Sequence, residues 1–319
     1  MTLGQDILYL ANADIEACDL SPVEVEAAVE AMFAAKASGS AVMKPKLALH
    51  STNGTLYLAS PGVLAAPAYA GIKWVGVAGN QARGLPHIAG LILLNDADTG
   101  MPVAAMDARW ITGARTAAIT AVAARRLARP ESASIGFVAC GVQARSHLAA
   151  LRPHFPLRRV RAYSRRLTTA RTFADEVRAE GLEAEAVEDP RTAMAEMDIV
   201  ITSTPAVPRT PPFLDAAWLG PGSFTSMVDM AIPWIAETLP ALDQVVTDDI
   251  DQAGTERLNY PEPYDGEVAG LVAGATAGRS SPEARTALIF AGVGLADVAV
   301  GAAVYQRAID KGIGRALPL

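Results

Sequence analysis

One stretch near the middle of the chain most restricts the fold: SIGFVACGVQA, residues 134–144. A short apolar strand at 135–139 runs through Cys140 and Gly141 into helix-forming residues. This is the first half of a βα unit, and such units build parallel sheets. The same rhythm continues after it and predicts further strands at 160–163, 184–187, 199–202, 223–227 and 244–247. The second half of the chain is therefore predicted to be a doubly wound α/β sheet.

The turn in this stretch suits a dinucleotide. Backbone amides must approach a pyrophosphate there, so glycine is needed where a side chain would collide. Gly141 supplies one glycine, followed by the amides of Val142 and Gln143, but Ala139 stands where the first glycine of G-x-G-x-x-G is usual. The motif alone also fits an ordinary βα turn, whereas its strand-turn-helix context predicts a nucleotide site.

The next strand indicates which dinucleotide is bound. VRAY ends at Ser164, Arg165 and Arg166, about twenty residues past the turn, where NAD-binding sequences place Asp or Glu. Guanidinium groups would bind a 2′-phosphate through charge-assisted hydrogen bonds, whereas an acid would repel it. We therefore expect NADP(H) to be preferred, with NAD(H) left open. The alternative is that both arginines are solvated surface charges.

Two later strand ends are predicted to complete the cofactor site. Thr202, Ser203 and Thr204 follow one strand, and Met227 ends the next. The carboxyl ends of parallel strands meet at one edge of a sheet, which is where ligands of open α/β folds bind. Short hydroxyl residues are also common as simple turn formers.

The first third of the chain has a different pattern. LALH and TLYLAS flank Asn53-Gly54 and predict a β-hairpin. Further apolar runs bounded by turn residues predict strands at 72–77, 91–94 and 103–106. An alanine-rich helix is expected from Thr112 to Pro130, and another helix over residues 295–309. This part is predicted to be rich in β-structure.

Composition excludes several classes of protein. Half of the residues, 51%, are apolar and the net charge is −7 without a long basic run, which argues against a nucleic-acid surface. Cys18 and Cys140 are the only cysteines, so neither a disulfide framework nor a metal site is expected. No secretory signal or membrane span is recognised, and we expect a cytoplasmic protein.

Several motifs, taken in order and spacing, resemble the ornithine cyclodeaminase/mu-crystallin family over nearly the whole chain. They are GIKWVG, NQARGLP, DADTGMPVAAMDARWITGARTAA, GVQA, MDIVITSTP, WLGPGSF, GRSSPEA and GLADVAVGAAVYQRA. The resemblance implies a Rossmann-type domain, residues 116–294, inserted into a β-rich α+β substrate-binding and dimerisation domain, residues 1–115 and 295–319. It also implies an NAD(P)-dependent oxidoreductase that acts as a homodimer on a small amino acid or imine.

The resemblance assigns binding of the substrate carboxylate to Lys46, Lys73 and Arg115. A guanidinium can hold a carboxylate through two hydrogen bonds, and an ammonium can polarise a carbonyl or relay a proton. Lys73 interrupts an apolar strand, where burial requires an anionic partner such as a substrate, unless the strand is an exposed edge. Arg115 is expected at the start of the alanine-rich helix, where a cation opposes the helix dipole, so an anionic ligand or an internal ion pair is expected.

Asp229, in SMVDMAIPW, matches a catalytic aspartate of the cyclodeaminases. It could accept a proton from the substrate amine or stabilise an iminium ion. The following Ile232-Pro233-Trp234 departs from the glycine- and proline-containing turn of that family. Asn80 is expected to shape the substrate pocket, His87 to be a loop histidine, and Asp297 to be a helix or domain-contact residue.

A missing acid bears on the substrate. No Asp or Glu occurs between Thr52 and Lys73, so the distal amine of ornithine would lack its counter-charge. We therefore expect a reductase or dehydrogenase acting on a C–N bond, similar to ketimine or pyrroline-carboxylate reductases or to amino-acid dehydrogenases. The alternatives are an ammonia-releasing cyclodeaminase with tightly bound NAD(P), and a non-catalytic crystallin-like protein that binds NADPH or another ligand.

Overall fold

A computed structural model of the protein describes residues 2–205, 211–255, 258, 260 and 263–319. The chain divides into two compact units. Unit 1 comprises Met1–Arg115 and Val293–Leu319, and unit 2 comprises Thr116–Gly292. No helix among the described residues is long and apolar enough to span a bilayer.

The amino-terminal part of unit 1 is mainly β-structure. Its elements are β1 Asp6–Leu10, α1 Asn12–Ala17, α2 Pro22–Ala37, β2 Ala41–Met43, β3 Leu47–His50, β4 Leu56–Ala65, β5 Ala68–Val77, β6 Ile88–Asp96 and β7 Pro102–Asp107. The long helix α3, Arg109–Leu127, follows.

Unit 2 alternates strands and helices. Its elements after α3 are β8 Ser134–Val138, α4 Val142–Leu151, β9 Arg159–Tyr163, α5 Leu167–Ala179, β10 Glu183–Val187, α6 Pro190–Met194, β11 Ile199–Thr202, β12 Phe224–Met227, β13 Gln244–Thr247, α7 Ile250–Thr255, β14 Gly266–Glu267, α8 Val268–Ala273 and β15 Thr286–Ile289. The chain ends with α9, Gly294–Lys311, and β16, Arg315–Pro318, in unit 1.

The sheet of unit 2 confirms the predicted α/β fold. Its strand order is β10-β9-β8-β11-β12-β15-β13-β14, and the pairs are parallel. The order reverses direction at β8, so the crevice outside the ends of β8 and β11 is the topological switch point at which such folds bind ligands. The predicted strands correspond to β8–β13. Strand β15 was not predicted, although it lies between β12 and β13 in the sheet.

The sheet of unit 1 is mixed and has the order β16-β1-β7-β6-β5-β4-β2, with β3 also paired to β4. The predicted hairpin is present, because His50 lies opposite Leu56 in an antiparallel pair. Strands β5 and β6 are longer than the apolar runs that predicted them, since both continue through polar or glycine residues that their neighbours hold in register.

This sheet has two different faces. Helix α9 packs against β4, β5 and β6, and Lys73 faces it. The side chain of Trp74, the next residue, therefore points to the opposite face. There Trp74 lies opposite Leu91 and stacks on Tyr57, with ring centroids 5.6 Å apart. Trp74 and Leu91 are 42% and 45% exposed, so this second face presents apolar groups to solvent.

A buried polar chain connects three elements inside unit 2. His147, on α4, places Nδ1 2.7 Å from the carbonyl oxygen of Gln143 and Nε2 3.0 Å from the hydroxyl of Thr120 on α3. That hydroxyl lies 2.8 Å from the hydroxyl of Ser226 on β12. Burial lowers the pKa of His147 from 6.5 to about 4. The folded protein therefore holds this imidazole neutral.

We predict that His147 makes stability sensitive to mild acid. The unfolded chain binds a proton at this imidazole near pH 6.5 and the folded chain only near pH 4. Its contribution to the free energy of unfolding is thus full above pH 6.5 and is lost as pH falls through 4, by at most about 3 kcal/mol. Urea unfolding at a series of pH values should give a shallower pH dependence for His147→Gln than for wild type. The exposed His50→Gln is the control, and equal slopes for all three proteins would contradict the prediction.

Candidate active site

Two of the predicted basic residues meet one carboxylate inside unit 1. The ammonium of Lys73 lies 2.9 Å from Oδ1 and 2.8 Å from Oδ2 of Asp297. Lys73 is only 7% exposed and Asp297 only 1%. The idea of an edge lysine is wrong, because β5 is paired on both sides, with β4 and β6. The anionic partner that burial of Lys73 requires is supplied by the protein itself.

Arg115 binds the same carboxylate, with Nε 3.1 Å from Oδ1 of Asp297. Helix α3 begins at Arg109, three residues before the predicted start, so Arg115 lies in its second turn. The helix-dipole argument fails there because the dipole effect fades beyond the first turn. The internal ion pair, the other expectation for Arg115, is what the structure contains.

Burial, more than the neighbouring charges, brings the pKa of Lys73 down towards neutral pH. Burial lowers the pKa of Lys73 to about 8, the negative charge of Asp297 opposes this, and the positive charges of Arg115 and Lys46 add to the lowering. Lys46 is half-buried in the segment between β2 and β3. The three basic residues assigned by the resemblance therefore share one electrostatic environment.

Close packing of α9 on β4 brings Asp297 to this position. A Cβ added to Gly62 would lie 3.0 Å from Leu295 Cδ2, and one added to Gly294 would lie 3.0 Å from the carbonyl carbon of Ser60. These short approaches seat the first turn of α9, which carries Asp297, against the sheet. Sequence reasoning placed Asp297 on the helix but missed its two ion pairs. The available signal was one acid within the apolar run GLADVAVG, the counterpart of one lysine within an apolar strand.

Asn80 stabilises its own loop. Its side-chain amide donates to the carbonyl oxygen of Pro86 at 3.0 Å, and its backbone carbonyl accepts from the amide of Leu85. His87 closes the other side, with Nδ1 2.6 Å from the carbonyl oxygen of Ala78. Among the residues that the structure describes, neither side chain bonds to the Lys73 cluster.

In unit 2, Asp229 accepts hydrogen bonds from the strand end that was predicted to line the cofactor. The hydroxyl of Thr202 donates to Oδ1 at 3.0 Å. The amide and the hydroxyl of Thr204 donate to Oδ2 at 3.0 and 3.2 Å. The two threonine hydroxyls, expected to line the cofactor site, thus donate to a carboxylate.

Burial is the main influence on the titration of Asp229, which is 5% exposed. It raises the pKa of Asp229 to about 6, and the hydrogen bonds from Thr204 and Thr202 oppose the rise. A carboxyl group that titrates near 6 can exchange a proton at neutral pH, which is what a general base requires.

The turn between β8 and α4, predicted to bind the pyrophosphate of a dinucleotide, lies at the topological switch point of the unit 2 sheet. Ala139 has φ +77°, a left-handed conformation that favours glycine, and it occupies the place of the motif's first glycine. Gly141 is the N-cap of α4, and a Cβ added there would meet nothing within 4 Å. Val142 is 67% exposed, and the buried side-chain oxygen of Gln143 has no hydrogen-bond partner among the described residues. The turn thus offers open space beside helix amides.

Two other predicted cofactor residues lie at neighbouring strand ends. The amide of Ser203 donates to the carbonyl oxygen of Val138 at 3.0 Å. The hydroxyl of Ser203 lies 3.4 Å from the carbonyl oxygen of Ala139. Met227 is fully buried at the end of β12. Ser203 therefore belongs to the turn, whereas Met227 is a core residue.

The basic residues after β9 have few internal contacts. Ser164 is half-buried, and Arg165 and Arg166 are exposed. Within the described parts of the chain, neither guanidinium makes an ion pair or a side-chain hydrogen bond. Both are available to a ligand.

Cys140 in the turn has little chemical reactivity. Its sulfur lies 3.2 Å from the carbonyl oxygen of Tyr163, and burial raises the pKa of the thiol to about 12. Cys18 is also buried and unbridged. The described residues contain no cluster of three or more His, Cys, Asp or Glu side chains that could hold a metal ion.

Comparison with known proteins identifies the family of the chain. The family model described as "Ornithine cyclodeaminase/mu-crystallin family" matches residues 7–312. The chain belongs to this family. Lys73, Arg115, Asp229 and Asp297 all lie within the matched residues of the family model.

Several relatives of the chain are named as enzymes. The chain is 33% identical to the alanine dehydrogenase of Archaeoglobus fulgidus, with 97% of each chain covered. An archaeal alanine dehydrogenase dimer with bound NAD superposes with a TM-score of 0.87, at 30% identity, covering 98% of this chain and 99% of that one. The Δ1-pyrroline-2-carboxylate reductase of Thermococcus litoralis, in complex with NADH and L-proline, superposes with a TM-score of 0.86, at 26% identity, covering 97% and 99%.

We predict that Asp297→Asn strongly destabilises the protein. The change leaves two buried cations without their carboxylate, which typically lowers the free energy of unfolding by about 3–5 kcal/mol. Asp310→Asn, at an exposed position of the same helix, is the matched control and should have little effect. Adding Lys73→Met to Asp297→Asn should recover part of the loss, because one unpaired cation is removed. Urea unfolding measures all four proteins, and equal stability of the two Asn variants would contradict the prediction.

Proposed function

We propose that the protein is an NAD(P)(H)-dependent oxidoreductase that acts on the C–N bond of an amino acid or of its cyclic or acyclic imine. The observation that carries the proposal is the buried cluster in which Lys73 and Arg115 share the single carboxylate of Asp297. Two cations against one anion leave a net positive charge, to which Lys46 adds. That excess suits the carboxylate of an amino-acid substrate. The named relatives support the class of reaction.

The residues of unit 2 fit a dinucleotide. The open space at Gly141 and the amides of Val142 and Gln143 would hold the pyrophosphate at the N-terminus of α4. The side-chain oxygen of Gln143, which has no hydrogen-bond partner in the part of the chain that the structure describes, would gain a donor from the ligand. Bound there, a nicotinamide cofactor supplies or accepts the hydride.

The protein's own groups supply substrate binding and proton transfer. Arg115 and Lys46 would hold the substrate carboxylate, and Lys73, with a pKa of about 8, could also donate or accept a proton at neutral pH. Asp229 would accept the proton of the substrate amine during oxidation and return it during reduction. Perturbed titration of two buried groups favours catalysis over mere ligand storage.

Ornithine is a poor candidate for the substrate. The segment between Thr52 and Lys73 contains no acidic residue to hold a distal ammonium. A substrate with a small, uncharged side chain, either open or closed into a ring, suits this site better than ornithine does. A buried ammonium without a counter-charge is strongly disfavoured. This favours a reductase or dehydrogenase over a cyclodeaminase.

NADP(H) is the proposed preferred cofactor. Arg165 and Arg166 are exposed at the strand end where the adenosine ribose lies in such folds, and no acid stands there. Neither makes an ion pair with another described residue. The 2′-phosphate of NADP(H) would supply the missing anion.

We further propose that the protein acts as a homodimer through the open face of the unit 1 sheet. That face carries a continuous set of exposed apolar side chains: Leu47, Leu49, Tyr57, Trp74, Leu91 and Leu93. Contiguous apolar surface of this kind marks interaction sites, and the other face is already covered by α9. A second copy of the same surface would match it in chemistry.

The reaction can be tested by following nicotinamide absorbance with a cyclic imine carboxylate, or with a 2-oxo acid and ammonia. We expect net oxidation of NADPH by wild type. Lys73→Met should lower kcat/KM by about 10²-fold or more, because it removes a substrate cation and a proton-transfer group. Lys44→Met, an exposed lysine nearby in sequence, is the matched control. Cofactor affinity should be unchanged in both variants.

Three results would contradict this proposal. Lys73→Met with wild-type activity would remove Lys73 from the mechanism. Ammonia release from ornithine without net NADPH oxidation would indicate the cyclodeaminase. Tight cofactor binding without turnover of any tested imine or amino acid would indicate a binding protein.

The cofactor preference predicts a selective effect of Arg165→Ala. Loss of a charge-assisted contact to phosphate should weaken NADPH binding by about 10-fold or more and leave NADH binding nearly unchanged. Arg171→Ala, an exposed arginine on α5, controls for general charge effects. Fluorescence titration with both cofactors measures the dissociation constants. An equal effect of Arg165→Ala on both would overturn its assignment to the 2′-phosphate.

A further inference from the structure

Trp234 lies in the part of the sequence that departs from the cyclodeaminase pattern, and it contacts the hydrogen-bond network of Asp229. Its indole Nε1 donates to the hydroxyl oxygen of Thr202 at 3.2 Å. The same hydroxyl donates to Oδ1 of Asp229 at 3.0 Å. Trp234 and Thr202 are fully buried. An uninterrupted chain of two hydrogen bonds thus leads from the indole to the carboxylate.

The chemistry of the donors fixes the direction of this chain. An indole N–H only donates, so the oxygen of Thr202 must accept from Trp234. A hydroxyl carries one proton, and with its oxygen engaged by the indole that proton is directed to Asp229. On the other carboxylate oxygen, Thr204 supplies two donors. Both oxygens of Asp229 therefore face donors, which favours the ionised, proton-accepting form.

The turn that carries Trp234 to Thr202 is strained. Met230 and Ala231 have φ +58° and +54°, a left-handed backbone conformation that residues other than glycine rarely adopt. The turn is closed by bonds from the amide of Ile232 to the carbonyl oxygen of Asp229 and from the amide of Trp234 to that of Ala231, both 3.1 Å long. Two consecutive strained residues next to a reactive carboxylate point to a functional constraint on this turn.

Packing holds the indole in place. Trp234 belongs to the apolar cluster formed by Val138, Leu214, Met227 and other buried residues. A large aromatic side chain is enough to fill this core. The hydrogen bond to Thr202 also requires an N–H group at the position of the indole Nε1. The two roles can be separated, because phenylalanine keeps most of the ring and lacks the donor.

We propose that Trp234 is a positioning residue whose indole N–H orients the hydroxyl of Thr202 so that its proton faces the carboxylate of Asp229. The proposal rests on the proposed function in one respect, the role of Asp229 as proton acceptor. The orientation is a statement about hydrogen bonding in the folded protein and can be measured without turnover.

The groups around Asp229 make its pKa a clean reporter. Its hydrogen-bond partners, the hydroxyls of Thr202 and Thr204 and the backbone amides of Thr204 and of Asp229 itself, are all neutral. In the described part of the chain no charged side chain forms an ion pair with it. Burial raises the pKa of Asp229 and these donors lower it, so weakening one donor should raise it further.

The experiment is a ¹³C-carboxyl NMR titration of the full chain with labelled aspartate, with Asp229 assigned by Asp229→Asn. Trp234→Phe should raise the pKa of Asp229 by about half a pH unit, the scale of one neutral hydrogen bond. Thr202→Val, which removes the donor itself, should raise it further. Trp218→Phe is the matched control, since Trp218 packs on the same cluster and makes no hydrogen bond to Thr202 or Asp229. It should leave the pKa unchanged.

The pH profile of kcat/KM provides the catalytic readout. Its acidic limb should move upward in Trp234→Phe by the same amount as the NMR titration and should not move in Trp218→Phe. A pKa of Asp229 in Trp234→Phe equal to that in Trp218→Phe overturns the positioning role. Full activity of Asp229→Asn would instead overturn the proposed role of Asp229 in the reaction, and the NMR titration would still decide the role of Trp234.

Discussion

The three-residue ion cluster of Lys73, Arg115 and Asp297 is the interaction on which unit 1 depends. Two buried cations are tolerated in this apolar surrounding only because one buried carboxylate bonds to both. The carboxylate comes from the far end of the chain, 224 residues after Lys73. The final helix must therefore return to the first sheet, and glycines on both elements permit the close approach that this requires.

The excess of positive charge in that cluster also connects stability with chemistry. A cluster with as many negative as positive charges would be neutral and would have little affinity for an anion. Here one carboxylate serves two cations, and a third, Lys46, contributes to the local field. Under the proposed function, a bound substrate carboxylate would neutralise the positive charge that remains in the cluster.

Each candidate site contains one buried carboxylate, and the two environments differ. Asp297 is matched to cations and serves as their fixed counter-ion. Asp229 is held by neutral donors, and burial raises its pKa to about 6. The strained turn at Met230 and Ala231 directly follows Asp229 in the sequence.

The sequence by itself determined the features that depend on neighbouring residues. The βα rhythm, the strands β8–β13, the hairpin around Asn53 and the turn between β8 and α4 follow from local periodicity and turn chemistry. Single charged residues within apolar runs, such as Lys73, also identified candidate site residues. Strand β15 escaped prediction although it is as long as the predicted strands β11, β12 and β13, because a run of four residues is too short for its periodicity to separate strand from helix.

Only the tertiary structure decided which groups meet. The pairing of Asp297 with Lys73 and Arg115, and of Trp234 with Thr202 and Asp229, joins residues that packing brings together from separate elements. The left-handed conformation of Ala139 likewise follows from the path of the chain, since alanine does not favour it. Residue type shows that a buried charge needs a partner, but the identity of the partner is fixed by long-range contacts that no local pattern encodes.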